Sequence, residues 1–366
     1  MEFIISVIIF IVLFVFYLHL VSQYKKSEDL EVYEMDYLSN TQLQEVCAIK
    51  QPILFDFSKQ SNELITNINQ HVFEKEVEYD IKLKDSNDYF VRPPENNQES
   101  TTPISPQKNQ STLPPPSVDY IVLPFESAMT LLKTDKKSHF FIENNEDFID
   151  ETGMRTMYET IDENLKPYFT VQTKYDFIMG SKNTQTPLRY HTYYRQFYIV
   201  TNGRLHVKMT PWKSSKYVHP IKDYETYEFK SPINVWKPQN QYLHDMDKIK
   251  FLEFDVPQGY VLYVPPYWWY SFKFSHENMT SISAFTYNSP MNILANSVDW
   301  AKYFIQQQNI TKKPSRTSVP EEPPSDKSYI EDDVPRREIV NNMNPITNPY
   351  NETVIPLVNP GEFMKK

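Results

Sequence analysis

Lys250–Phe274 reads KFLEFDVPQGYVLYVPPYWWYSFKF. Its opening residues alternate, with Leu252, Phe254 and Val256 on one face and Phe251, Glu253 and Asp255 on the other, the period-two pattern of a strand with one buried side. Pro257-Gln258-Gly259 is a turn signal. Tyr260–Val264 is apolar throughout, and Tyr270–Phe274 sets Tyr270, Phe272 and Phe274 against Ser271 and Lys273. Outward from this stretch, Arg204–Thr210 (RLHVKMT) alternates strictly, Leu205, Val207 and Met209 against Arg204, His206 and Lys208, and Ser281–Tyr287 adds one more strand. Short strands punctuated by turns about every 8–12 residues predict a β-sandwich or barrel.

Helical patterns flank these strands. Asn40–Ala48 opens with Ser39 or Asn40 as N-cap, Glu126–Lys133 follows Leu123-Pro124-Phe125, and a last helix is predicted over Pro290–Gln307, with Pro290 suited to a first turn. The N-terminus is different in kind. Phe3–Val21, FIISVIIFIVLFVFYLHLV, is interrupted only by Ser6 and His19. At 1.5 Å per residue it spans roughly 28 Å, close to the ~30 Å of a bilayer's hydrocarbon core. The two residues ahead of it, Met1 and Glu2, supply no basic n-region, and Ser22-Gln23-Tyr24-Lys25-Lys26 after it offers no small-residue cleavage site. An uncleaved transmembrane anchor is therefore expected over 1–22 rather than a signal peptide, with a juxtamembrane linker over 23–34. Lys25 and Lys26 place the soluble part on the cytosolic side by the positive-inside rule, and the lone Cys47 suits a reducing compartment. Sequons at Asn109, Asn278, Asn309 and Asn351 carry little weight in an Asn-rich chain.

Composition sets further limits. The 366 residues include 5 Gly, 28 Pro and a single cysteine, and carry a net charge of −10. No Gly-rich phosphate loop is present, one cysteine excludes an intrachain disulfide or a Cys-based metal site, and the acidic balance weighs against nucleic acid as a partner. The excess of Lys over Arg, with abundant Asn, Ile, Tyr and Phe, resembles an AT-rich coding source such as a large DNA virus or an AT-rich protist, a matter of codon usage and not of function. Residues 92–118, Pro-, Gln- and Ser-rich, read as a disordered insertion, and 307–366 as a Pro/acidic tail in which only Val354–Val358 looks like a docking peptide. One folded domain over 35–306 remains.

Two strings within that domain resemble a known family. Thr186–His191 reads TPLRYH at the end of DFIMGSKNTQTPLRYH (Asp176–His191), and Val261–Tyr270 reads VLYVPPYWWY. In the cupin-like, Jumonji-C-related iron(II)- and 2-oxoglutarate-dependent oxygenases the corresponding strings are T-P-L-H-x-D and V-L-x-x-P-x-x-W-W-H. Gln51–Phe55 after a helix, and His139-Phe140-Phe141 before the barrel, are similar to the family's opening segments. The resemblance covers about Met35 to Gln306. It implies a mainly β fold, a double-stranded β-helix (jelly-roll) with flanking helices, to which the N-terminal transmembrane helix is added.

The resemblance breaks at the chemistry. Iron(II) in that family takes two imidazoles and a carboxylate on one face, and here the corresponding positions hold Arg189, His191 and Tyr270. Arginine stays protonated and only donates. The family's 2-oxoglutarate lysine, two residues after a glycine, is replaced in Gly203-Arg204-Leu205 by Leu205. The alternation of this strand points Arg204 and Lys208 away from the Leu205 face. No cofactor is therefore expected; iron(II) and 2-oxoglutarate belong only to an alternative in which the chain is a hydroxylase or demethylase with an unconventional site. Among the other histidines, His206 is expected on the solvent face, His219 follows a loop, His244 lies in a turn with Asp245 and Asp247, and His276 lies in a hairpin loop.

A pocket of Thr186, Arg189, His191, Tyr263 and Tyr270 is expected at the barrel mouth, either dead, with its groups satisfying one another and internal acids, or binding an anion. Tyr190, Tyr263, Trp268, Trp269 and Tyr270 motivate a sugar-binding variant. The leading expectation is a membrane-anchored protein with a structural or interaction role at a host or virion membrane. Its partners would be the bilayer through 3–21, unidentified proteins and, through Met291–Gln307, a second copy of itself.

Overall fold

Fifteen strands among the described residues form two sheets. The computed structural model describes residues 2–69, 79–90, 117–275 and 279–309. Almost all of the expected insertion 92–118, the tail beyond 309, Val354–Val358 and His276 lie outside these residues. After a long N-terminal helix, α1 (Glu2–Gln23), come β1 (Tyr33–Asp36), α2 (Asn40–Cys47), β2 (Ile53–Asp56) and α3 (Ser58–Asn69). Next are β3 (Asp80–Asp85), β4 (Ile121–Pro124), α4 (Phe125–Thr134), β5 (Phe140–Ile142), α5 (Glu146–Glu151) and α6 (Arg155–Leu165). The chain continues with β6 (Gln172–Gly180), β7 (Arg189–Tyr190), β8 (Arg195–Asn202), β9 (Arg204–Thr210), β10 (Ile221–Asp223), β11 (Glu228–Lys230) and α7 (Leu243–Met246). It ends with β12 (Leu252–Pro257), β13 (Tyr260–Tyr263), β14 (Trp269–Phe274), β15 (Thr280–Asn288), α8 (Pro290–Ala295) and α9 (Ser297–Asn309).

The larger sheet runs β1-β2-β13-β8-β15-β6-β5-β3-β4 and the smaller β10-β11-β7-β14-β9-β12. From β6 onward the chain crosses between them: β6 lies in the larger sheet, β7 in the smaller, β8 in the larger, β9 in the smaller. The pattern returns at the end, with β12 in the smaller, β13 in the larger, β14 in the smaller and β15 in the larger. Two of the crossings are tight turns at Gly203 (φ 76) and Gly259 (φ 85), a left-handed backbone that costs glycine nothing. Among the described pairings only β1–β2 is parallel.

Period-two alternation divides the apolar side chains into layers. Leu205, Val207 and Met209 of β9 and Tyr270, Phe272 and Phe274 of β14 meet Ile178, Tyr198, Val200 and Leu262 of the larger sheet in a core between the sheets. The opposite face of the larger sheet, through Phe177, Ile199, Val261 and Phe285, packs under α2–α6. A third cluster, with Leu188, Tyr190, Phe229 and Trp269, covers the outside of the smaller sheet. Each fully buried Leu, Val or Phe contributes roughly 1.5–3 kcal/mol. The strands predicted from alternation thus bury the faces expected of them. Gly180 is small for a packing reason, because a Cβ there would enter the Phe274 ring.

The helices start where their caps stand. Ser39 accepts from the Gln42 amide at α2, and Ser289 from the Asn292 amide at α8, with Pro290 in the first turn. The single helix expected over Pro290–Gln307 is instead two, α8 and α9, broken at Asn296, whose side chain donates to the carbonyls of Thr192 and Asn292. Such local bonding by Asn competes with helix continuation.

The helix α1 is long and apolar enough to cross a membrane: Phe3–Gln23 has a mean hydropathy of 3.0, and its best apolar window has nothing packed over it. The segment read as a linker over 23–34 is tied down. Buried Lys50 donates to the carbonyls of Ser22 (2.9 Å) and Gln23 (2.8 Å), closing the C-terminal end of α1. Tyr24 donates to the Ala295 carbonyl, and Lys26 lies over the Trp212 and Tyr267 rings at 3.8 and 4.5 Å. Lys213 donates to the Glu28 carbonyl at 3.0 Å, and β1 begins at Tyr33, inside the expected linker.

Candidate functional site

The strand register brings two of the three residues singled out by the resemblance, Arg189 and Tyr270, face to face. Tyr270 of β14 is the direct partner of Arg189 in β7, and Lys230 of β11 flanks Arg189 on its other side. Residues directly opposite in a sheet share a face. Arg189, Lys230 and Tyr270 therefore look inward, while Tyr190, Phe229 and Trp269 look outward into the third apolar cluster. From the larger sheet, Asp176, Gln196 and Tyr198 reach the same interior, and Lys84 and Glu143 enter from β3 and the end of β5.

These side chains form a buried ion cluster. Arg189 Nη1 lies 2.7 Å from Glu143 and 3.5 Å from Glu228. Lys84 Nζ lies 3.1 Å from Glu143 and 3.4 Å from Glu228, and donates to the Tyr89 hydroxyl at 2.6 Å. Lys230 Nζ stands 3.8 Å from Glu228. Lys84 and Glu143 are almost wholly buried, at 1% and 3% side-chain exposure, so each charge depends on its partners. Burial alone would raise the Glu228 carboxyl; Lys84, Lys230 and Arg189 outweigh it and hold the group down at about 2. Asp176 goes the other way. Burial pushes its carboxyl up to about 7, although it accepts from the backbone amides of Asn144 and Asn145 at 2.8 Å.

Beside the cluster lies a cavity of about 110 Å³. His191 stands in it with Nε2 3.0 Å from the Val264 carbonyl. A carbonyl only accepts, so Nε2 carries the hydrogen and Nδ1 is a bare acceptor. Burial depresses the imidazole to about 3, so it is neutral at physiological pH. Tyr270 and Tyr198 share a hydroxyl–hydroxyl hydrogen bond of 2.8 Å, and the Arg189 guanidinium lies 5.7 Å from the Tyr270 ring centre.

Of the five residues expected at the barrel mouth, Arg189, His191 and Tyr270 do converge on this cavity. Thr186 does not: its hydroxyl accepts from the Phe272 amide and its carbonyl from Ser271. Tyr263 is on the opposite face of the larger sheet, where it packs under the helices and meets Arg195 and the Cys47 carbonyl. Trp268 packs between the sheets and Trp269 outside, so the aromatic set proposed for sugar stacking is divided over three layers. His206 is half-buried and pairs with Asp255; His219 pairs with Asp245 at 2.9 Å; His244 lies in the short α7. Lys84, Glu143, Asp176, Gln196, Glu228 and Lys230 were missed. The one signal was that a buried arginine requires acids, and Glu-Phe-Lys at 228–230 does alternate with its charged side chains inward.

The group that the resemblance implies does not fit. Arg189 offers only donors and is engaged by Glu143 and Glu228; His191 turns Nε2 to a carbonyl; the Tyr270 hydroxyl is bound to Tyr198. Among the described residues no three His, Cys, Asp or Glu side chains stand where they could hold a metal ion together. No protein-family model matches the sequence, and no curated protein sequence is similar to it.

Proposed function

We propose that the chain is a membrane-anchored double-stranded β-helix of the cupin-like, Jumonji-C-related type whose iron position has been taken over by an internal salt-bridge cluster. It works as a scaffold or interaction module at a membrane and not as an oxygenase. Two features support the fold assignment. The chain alternates between sheets from β6 to β9 and from β12 to β15, the winding of a jelly-roll. The two substituted positions, Arg189 and Tyr270, are also register partners, adjacent as two ligands of one metal could be.

The observation that carries the functional reading is the 2.7 Å contact of Arg189 with buried Glu143. A permanent cation fills the place where a divalent metal would otherwise sit, and its acids are already spent. The membrane role rests on α1, and the cytosolic side on Lys25 and Lys26 just beyond it. The test is metal analysis and 2-oxoglutarate turnover on the full chain in detergent. Iron well below stoichiometry and no succinate formation are expected. Stoichiometric iron, or turnover, overturns the reading and returns the chain to the hydroxylases.

A further inference from the structure

One end of the larger sheet gathers exposed apolar side chains around the root of α1. A register row fixes that end: Ile53 pairs with Tyr263, Tyr263 with Phe197, Phe197 with Phe285 and Phe285 with Tyr175. Strands β2, β6 and β8 begin here, and β13 and β15 finish here. The helix α1 leaves the domain at this end. Lys50, just ahead of β2, holds the Ser22 and Gln23 carbonyls, and Tyr24 donates to the carbonyl of Ala295 in α8, just after β15. The turn ahead of β6, residues 167–171, stands at the same end, since the Val171 amide donates to the Asn288 carbonyl at 2.9 Å.

This turn is held on both sides and presents its tip. Asn40 donates to the Lys166 carbonyl at 2.8 Å, and the Thr170 hydroxyl to the Pro167 carbonyl at 2.7 Å. At the tip Phe169 has φ 60, a left-handed conformation that turns ordinarily give to glycine or asparagine. Packing does not offset that strain. The Phe169 ring is 88% exposed, beside Tyr168 at 70% and Val171 at 59%. A phenylalanine that costs backbone strain and packs on almost nothing in its own chain points to a partner outside it.

Ile49, next to Lys50, and Leu294 and Val298, in α8 and α9, are exposed as well. Four strand spacings separate β2 from β6, roughly 19 Å at ~4.8 Å each. The apolar side chains are thus spread across the end of the sheet and not collected in one groove, which suits a broad apolar partner. Charges of both signs stand among them, Lys25 and Lys166 with Glu163 and Asp299, so apolar contact selects the partner. The helix α1 says which partner that is. Its apolar run stands free of the domain and ends beside these side chains, so a bilayer that takes up α1 is the apolar phase nearest to them.

We propose that this end of the larger sheet is a second membrane-contacting surface, with Tyr168 and Phe169 inserted into the interfacial region of the bilayer that α1 spans. The proposal rests on the reading of α1 as an anchor and adds a contact made by the β domain itself.

The test places a nitrobenzoxadiazole label on the full chain in phosphatidylcholine vesicles, at Phe169→Cys, at Leu13→Cys within α1, or at Lys137→Cys. Lys137 is exposed ahead of β5, at the opposite end of the sheet, where Phe141 pairs with Gly180. Cys47 is buried, with its thiol kept protonated by that burial, and stays unlabelled. Labels at positions 13 and 169 are expected to be quenched by spin-labelled lipid and shielded from aqueous iodide, and the label at 137 to show the reverse. Tyr168→Asp added to the Phe169→Cys chain should cut the lipid quenching about twofold or more. A label at 169 open to iodide while that at 13 is shielded overturns the proposal and leaves the anchor standing. Both labels open removes the anchor and the proposal with it. Shielding at 169 without lipid quenching means that protein, such as a second copy of the chain, covers the turn, and overturns the proposal; so does lipid quenching that Tyr168→Asp leaves unchanged.

Discussion

Arg189 is held by two carboxylates that are themselves buried, and this asymmetry sets what its loss costs. Arg189→Met leaves Glu143 and Glu228 to Lys84 and Lys230 alone, and removing one partner of a buried ion network costs about 3–5 kcal/mol. Urea unfolding should show that loss. Arg189→Met with Glu143→Leu should lose less than the sum of the two single changes, since the pair leaves together. Tyr270→Phe breaks one hydroxyl contact with Tyr198 and should cost only about 0.5–1.5 kcal/mol. Two carboxyls give opposite pH dependences. Glu228, held at about 2 against an ordinary 4.5, contributes stability that is present above pH 4.5 and lost as the pH falls towards 2. Asp176, raised to about 7 from 3.8, binds its proton more tightly folded than unfolded, so its contribution is lost as the pH rises from 3.8 to 7. Asp176→Asn does not titrate. Its thermal midpoint should therefore gain on the parent's between pH 5 and pH 7.5, and a constant gap would show that Asp176 is not buried with its proton. The odd residues at 189 and 270 were legible in the sequence. Their partners were not, because Lys84, Glu143 and Glu228 lie on other strands and no local pattern says which charges will meet.

At the scale of elements, alternation was a reliable guide and continuity was not. Strands β9, β12 and β14 bury the faces their sequences predict, since side-chain direction in a strand is set locally by the pleat. The α8–α9 break was hidden, because Asn296 has no effect on a helix until the Thr192 carbonyl is beside it. The same holds for the stretch after α1. Residues 23–34 carry no strong pattern, yet Lys50, Tyr24 and Lys26 fasten them to the domain. Lys50→Met should free the Ser22 and Gln23 carbonyls at a local cost of about 1–3 kcal/mol. Hydrogen exchange over residues 22–29 should then rise severalfold while the strands stay protected. Exchange rising everywhere would mean that Lys50 supports the whole fold and not this junction. Gly180→Ala, which drives a methyl into the Phe274 ring, should cost about 1–3 kcal/mol or more by overpacking.

For the whole molecule, Lys50 and Tyr24 bond the end of α1 and the residue after it to the two-sheet domain, so a membrane that took up the helix would also bear on how the domain is held. The full chain should stay with membranes through an alkaline carbonate wash. Leu13→Arg, at roughly 2.5–3.5 kcal/mol for an arginine at mid-span, should release a substantial part of it; full release of the parent by carbonate would remove the anchor. That an apolar helix stands at the N-terminus and that a β domain follows were determined by the sequence alone, since both follow from local periodicity and composition. The two-sheet winding and the placing of Arg189 opposite Tyr270 came from strand order. Only the tertiary structure decided that Thr186 and Tyr263 leave the site and that Glu143 and Glu228 enter it. Those outcomes depend on contacts between residues far apart in the chain, where the free energy of a buried charge is set by its neighbours in space.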